Sequence, residues 1–179
     1  MNHPKNKIVL YIAMSLDGYI ARPDGSVDWL FDVEGDGGDN GYGRFYSSVG
    51  TVVMGRLTYE AVLGLEEVFP YADKPCYVLT RTNTPRLANP HAQYTDRPLK
   101  ELLSELQSKS DGDVWVVGGG QVVKACLKEN LLDEMQIAVI PKVLGSGIPL
   151  FPEGSPASTY RLTNTEPIGQ IVMLTYERL

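Results

Sequence analysis

The sequence predicts an α/β domain, with a mostly parallel sheet covered by helices on both faces and edged by an antiparallel hairpin. Three observations predict it. Strand-like apolar runs alternate with helical stretches, which is the pattern of a parallel sheet wrapped by crossovers. The first run, residues 8–14, is continuously apolar, as a strand covered on both faces requires. The last part of the chain holds two strand-like runs, 160–165 and 170–176, around Glu166-Pro167-Ile168-Gly169, where Pro and Gly favour a turn. The length of 179 residues suits one domain, 1–179.

In chain order, the run 8–14 leads into a long loop, 21–38, rich in Asp and Gly. A loop of that length within a compact domain is usually functional or disordered. Trp29 inside it reads either as a core anchor or as a lid over a ligand. Residues 39–49 form a helical candidate in which Gly41 and Gly43 lower the propensity. Residues 51–54 form a short β-branched strand stopped by Gly55, followed by a short helix over 58–63. Strand 76–80 follows Pro75. The helix 98–108 places Leu99, Leu102, Leu103 and Leu106 at helical spacing, with Pro98 in its first turn. Strand 114–117 runs into Gly118-Gly119-Gly120, then a helix over 121–129 and a fifth strand over 134–139.

Composition narrows the function classes. A net charge of −6 argues against a general nucleic-acid or anionic-membrane surface, which would need clustered Lys and Arg. The expected partner is a small molecule. The run 8–14 is broken by Ser15 and Asp17 and is too short for a transmembrane or signal segment, so a cytoplasmic protein is expected. Cys76 and Cys126 lie in apolar stretches without metal-ligand spacing. Two buried reduced thiols are the simple reading, with a single disulfide as the alternative. His3 and His91 are the two imidazoles and lie far apart, so neither a metal site nor a Ser-His-Asp triad is expected.

Chemistry gathers at the ends of predicted strands. At Gly118-Gly119-Gly120 a buried strand meets an apolar helix. Glycines there admit close backbone approach, and free N–H groups at the helix start favour a phosphate. Gly118 and Gly120 match a Gly-x-Gly start, but Val123 replaces the third glycine, and the turn comes too late for a standard Rossmann fingerprint. The alternative is a tight strand-helix turn. At Gly55-Arg56-Leu57-Thr58 a second strand meets Gly and a helix. Arg56 offers a forked donor or a surface ion pair, and Thr58 a helix cap or a phosphate donor. At Leu79-Thr80-Arg81 hydroxyl and guanidinium suit a 2′-phosphate or a polar turn. Each site lies past the carboxyl end of a strand, the edge where open α/β sheets bind ligands.

Four segments now share an order and spacing: Ser15-Leu16-Asp17-Gly18-Tyr19-Ile20-Ala21, Met54-Gly55-Arg56-Leu57-Thr58-Tyr59-Glu60, Gly118 to Gln121, and Pro141 to Phe151. On these the chain resembles the dihydrofolate reductase-like superfamily, and within it the reductase domain of bacterial riboflavin biosynthesis, the RibD C-terminal domain family with its stand-alone members. The resemblance covers nearly the whole chain. It implies a three-layer α/β/α sandwich around a mixed sheet, and an NADPH-dependent oxidoreductase that passes hydride to a small heterocycle or sugar.

Carried onto this sequence, the resemblance puts Ala13 and Ile20 against the nicotinamide through backbone groups. Gly55, Arg56, Leu57 and Thr58 take the pyrophosphate and 2′-phosphate region, and Leu79, Thr80 and Arg81 frame the adenosine ribose phosphate. Gly119, Gly120, Gln121 and Val122, after Gly118, meet the pyrophosphate. Asp39 falls where dihydrofolate reductases carry a pterin-binding carboxylate, and reads equally as a helix N-cap. Asp17 is the other carboxylate near the cleft, either catalytic or a turn stabiliser. A matching set for a substrate ribose phosphate is not found, nor is the zinc-binding deaminase domain. Related reductases form homodimers, which 141–151 or the terminal strands could support. The implied reaction resembles 5-amino-6-(5-phosphoribosylamino)uracil reduction. Its rivals are dihydrofolate reduction and nucleotide binding without turnover.

Overall fold

The first apolar run becomes β1, Ile8–Ser15, near the middle of an eight-stranded sheet. The computed structural model describes residues 5–82 and 89–179; His3 lies outside them. After β1 come β2 (Tyr19–Ala21), a 3-10 turn (Asp28–Leu30), α1 (Tyr42–Tyr46), β3 (Val49–Gly55) and α2 (Arg56–Leu65). Next are β4 (Cys76–Leu79), β5 (Gln93–Thr95), α3 (Leu99–Lys109), β6 (Asp113–Gly118) and α4 (Gly120–Lys128). The chain closes with β7 (Glu134–Ile140), β8 (Ile148–Pro149), β9 (Tyr160–Ile168) and β10 (Ile171–Arg178).

The main sheet runs β5-β4-β3-β6-β1-β7-β10-β9. The pairings from β5 through β7 are parallel, and the two made by β10 are antiparallel. The sheet is therefore mixed and mostly parallel, as expected. Alternation along β1 sorts its side chains. Ile8 and Leu10 pack with Leu102, Leu103 and Leu106 of α3 and Val123 and Cys126 of α4. Val9 faces the opposite layer with Phe45 of α1, Tyr59 of α2 and Trp115. Helices thus cover both faces. Each fully buried Leu contributes roughly 1.5–3 kcal/mol of transfer free energy.

Several boundaries differ from expectation for local reasons. Helix α1 has only five residues, because Gly41 before it is left-handed, with φ 80°. Helix α2 starts at Arg56, so Thr58 lies inside it and is not its cap. Strand β9 continues through Pro167, which an edge strand tolerates, and the hairpin turns at Gly169 and Gln170. Gly169 has φ 59°, and Gln170 N–H donates to the Glu34 carbonyl. Both cysteines are free and buried, and burial pushes each thiol up to about 12. Among the described residues no helix is long and apolar enough to cross a membrane.

The short strands β2 and β8 pair in a second, two-stranded sheet. They tie the start of the 21–38 loop to the segment after β7. The remainder of that loop is fastened by Arg22 to Asp28, by Lys142 to Asp32, and by Gln170 to Glu34. Trp29 is 2% exposed and packs with Ile140, Ile168, Ile171 and Met173. That is the geometry of a core anchor, the first of the two readings of Trp29.

Candidate functional site

The site grows from the topology. Strands β6 and β1 pair only through Ile8↔Val114, Val9↔Trp115 and Leu10↔Val116, yet both continue further. They part toward their carboxyl ends. The connection after β6 is α4 on one face, while the chain after β1 crosses to α1 on the other. Adjacent strands whose connections leave to opposite faces open a crevice at the sheet edge.

Two helix starts converge beside that crevice. Helix α2 begins at Gly55 and α4 at Gly119; both glycines are extended, and neither helix start has a side-chain cap. A Cβ built on Gly55 would sit 3.2 Å from Val122 Cγ2, 3.7 Å from the Gly118 oxygen and 3.9 Å from the Gly119 nitrogen. One built on Gly119 would sit 3.4 Å from Thr58 Oγ1 and 3.9 Å from Ile20 Cδ1. So Ile20, Gly55, Thr58, Gly118, Gly119 and Val122, from three parts of the chain, share one small volume. Gly118 has φ 136°, a backbone state reserved for glycine, and the Gly118-Gly119 peptide is cis. Uncapped N–H groups at two helix starts, with glycine at the point of approach, are an arrangement that suits an anion. Gly120 is different: a Cβ there would meet the Pro149 oxygen at 2.5 Å, so this glycine serves packing against β8.

The other expected residues surround this point. Gly55 lies opposite Leu79 in the β3–β4 ladder, which places Leu79, Thr80 and Arg81 one strand further out. Thr80 is buried and accepts the Thr82 N–H at 3.2 Å, while Arg81 and Leu57 are exposed. Arg56 donates to Glu60 at 2.7 Å across one helical turn. Gln121 is exposed in the first turn of α4. Ala13 lies on β1 opposite Ala138, beyond the last β1–β6 pair. All fourteen residues assigned to the cofactor therefore lie at or next to one edge of the sheet.

The two carboxylates behave otherwise. Asp17 accepts the Ser15 hydroxyl at 2.7 Å and the Leu144 and Gly145 N–H groups at 3.1 and 2.8 Å. The Ser15 hydroxyl, followed by those amides, holds its carboxyl below the usual carboxylate value. Such a group holds a charge rather than releasing a proton near neutrality. Asp39 accepts the Gly41 and Gly43 N–H groups at 2.9 and 2.8 Å. These bonds brace the turn that leads into α1, whose N-cap is Gly41 without a side-chain cap. Among the described residues no group of His, Cys, Asp and Glu is gathered for a metal.

Sequence reasoning missed a groove of about 440 Å³ between α1 and the terminal strands. Tyr11, Gln136, Thr175 and Asn164 lie in it, one from each of four adjacent strands. Arg44 and Glu166 pair beside it at 3.1 Å. Tyr11 stacks on Phe45 with centroids 3.9 Å apart, and burial raises its hydroxyl pKa. A row across four strands leaves no periodic signal within any one of them.

Comparison with known proteins shows what the chain as a whole is similar to. The profile described as RibD C-terminal domain matches residues 6–174. Uncharacterized protein YwjB of Bacillus subtilis (strain 168) is 46% identical over 174 residues, covering 97% of this chain and 99% of that one. A solved structure from Shewanella sp. PV-4, which carries a provisional riboflavin-biosynthesis name, superposes with TM-score 0.85 at 32% identity, over 97% of this chain and 99% of that one. The Thermotoga maritima diaminohydroxyphosphoribosylaminopyrimidine deaminase/5-amino-6-(5-phosphoribosylamino)uracil reductase superposes with TM-score 0.71 at 19% identity. It matches 98% of this chain but only 57% of its own, and the likeness shows the shared fold.

Proposed function

The chain belongs to the RibD C-terminal domain family, and from that premise we propose that it is an NADPH-dependent reductase of a small heterocyclic substrate. The observation that carries the reading is the pair of uncapped helix starts at Gly55 and Gly119, held together so that a Cβ at either position would intrude on the space between them. This is the form a pyrophosphate needs: backbone donors, positive helix ends and no side chain in the way.

In this reading Gly55, Thr58, Gly119, Gln121 and Val122 hold the pyrophosphate region, and Gly120 adds only its backbone at the start of α4. Arg56 turns from Glu60 toward phosphate, and Thr80 with Arg81 frames the 2′-phosphate. Ala13 and Ile20 border the nicotinamide. When bound, NADPH supplies the hydride, and the protein's part is to orient the ring and exclude water. The acceptor falls on the α1 face, where the groove beside Tyr11 offers amide and hydroxyl partners for a heterocycle's edge. Neither Asp17 nor Asp39 is assigned proton transfer, since both carboxylates are occupied by backbone donors. That weakens a dihydrofolate-type reaction and leaves solvent as the proton source.

The test is NADPH oxidation, followed by loss of nicotinamide absorbance, with 5-amino-6-(5-phosphoribosylamino)uracil and with dihydrofolate. Turnover of the pyrimidine supports the sharper reading. Tight NADPH binding without turnover of either compound moves the assignment to another heterocycle or to a binding module.

A further inference from the structure

The turn after β1 and the segment after β7 meet at one side chain. Ser15, fully buried at the end of β1, donates its hydroxyl hydrogen to Asp17 Oδ1 and accepts the Tyr19 N–H at 2.9 Å. Asp17 Oδ1 also accepts Leu144 N–H, and Oδ2 accepts Gly145 N–H. An ionised carboxylate is acceptor-only, so it satisfies all three donors; a neutral acid would present a hydrogen with no acceptor among them.

Both ends of this relay run to the cofactor cradle. On one side Tyr19 N–H fixes the start of β2, and the next residue, Ile20, reaches the Gly119 volume. On the other side residues 144 and 145 lead into β8, which pairs with β2 through Tyr19↔Pro149 and Ala21↔Ile148. The Pro149 oxygen then packs against Gly120 at the start of α4. Two further bonds run alongside: Leu16 N–H to the Lys142 carbonyl at 2.8 Å, and Leu150 N–H to the Gly18 carbonyl at 2.9 Å.

We propose that Asp17 is a positioning residue, clamping the 142–145 segment to the β1–β2 turn so that Ile20 and the Gly119-Gly120 turn keep their placement beside the nicotinamide half of the cofactor. The inference rests on the NADPH reading above. Asp17 touches neither cofactor nor substrate; it acts through Ser15 and through two backbone amides.

The test compares two ligands on the full chain. NADPH spans the whole cleft, whereas adenosine 2′,5′-bisphosphate engages only the end near Arg56, Thr80 and Arg81. Asp17→Asn, and independently Ser15→Ala, should weaken NADPH about tenfold or more while adenosine 2′,5′-bisphosphate stays within about twofold. Amide hydrogen exchange should quicken at Leu144, Gly145 and Tyr19 in the nucleotide-free Asp17→Asn protein. Equal weakening of both ligands would mean a general structural role and overturn the proposal, as would unchanged NADPH affinity. Unaltered exchange at Leu144 and Gly145 would overturn the clamp itself. A wild-type protein that binds neither ligand overturns the cofactor reading, and this inference with it, whatever the exchange shows.

Discussion

Gly120→Ala, set against Gly119→Ala, separates what the glycine turn does for folding from what it does for binding. A Cβ on Gly120 would stand 2.5 Å from the Pro149 oxygen and 3.1 Å from Pro152 Cγ, where ordinary contact begins near 3.4 Å. The Pro149 carbonyl would have to retreat by the difference, 3.4 − 2.5 = 0.9 Å. It has little freedom, because β8 pairs with β2 and Leu150 N–H is bonded to Gly18. Overpacking of this kind costs about 1–3 kcal/mol, offset in part by up to about 1 kcal/mol of helix propensity. A net loss of about 1–2 kcal/mol lowers Tm by roughly 2–8 °C for a chain of this size. On Gly119, by contrast, the added Cβ makes only ordinary contacts, at 3.4 and 3.9 Å, and the backbone is extended. Gly119→Ala should therefore melt like wild type, yet lose NADPH affinity because its methyl enters the cradle. Thermal denaturation and NADPH titration of both variants make the assay. A Gly120→Ala protein as stable as wild type, or a Gly119→Ala protein that binds NADPH normally, would refute the reasoning.

Other predictions follow from the same geometry. Arg56→Ala should weaken NADPH by about 10- to 150-fold, the value of one charge-assisted hydrogen bond of about 1.5–3 kcal/mol. Glu60→Gln should tighten it about twofold by removing a competing pair of about 0.3–0.5 kcal/mol; titration that shows no Arg56 effect excludes the phosphate role. Trp29→Ala should cost about 3–5 kcal/mol in denaturant melts, as a buried aromatic does, whereas a loss below about 1 kcal/mol is what a loose flap would give. The carboxyls of Asp17, Asp28, Asp32 and Glu105 lie below their ordinary values, held chiefly by Ser15, Arg22, Lys142 and Lys109 respectively. A lowered folded pKa means that the unfolded chain binds more protons in acid, so this stability is present above the ordinary values of 3.8 and 4.5 and is lost as pH falls below them. Denaturant melts across pH 3–7 should show the fall starting near pH 4 to 5; loss already complete by pH 6 would contradict the assignment.

Much of the sheet was legible because its central strands are apolar runs, and burial on both faces leaves that mark in any sequence. The strands β2, β5 and β8 are too short for a period to develop, and Pro149 argues against strand altogether. They form because neighbouring segments present backbone partners. The cradle was half legible. Glycine at Gly55 and at Gly118 to Gly120 signals close backbone approach, but that the two turns meet depends on β3 and β6 being neighbours. Asp17 shows the opposite case. Its partners, the Leu144 and Gly145 amides, are backbone groups more than 120 residues away, with separations of 127 and 128. Any residue type could supply them, so the sequence marks a carboxylate near a cleft without marking its use. Trp29 was undecided for a similar reason: its pocket is built by Ile140, Ile168, Ile171 and Met173 from the far end of the chain.

The most direct measurement is calorimetric titration of the wild-type chain with NADPH and, separately, with NADH. One NADPH site is expected, with a dissociation constant on the order of micromolar, and NADH should bind more weakly by about tenfold or more if Arg56, Thr80 and Arg81 address the 2′-phosphate. Absence of binding by both nucleotides would contradict the claim that the paired helix starts at Gly55 and Gly119 are a dinucleotide cradle.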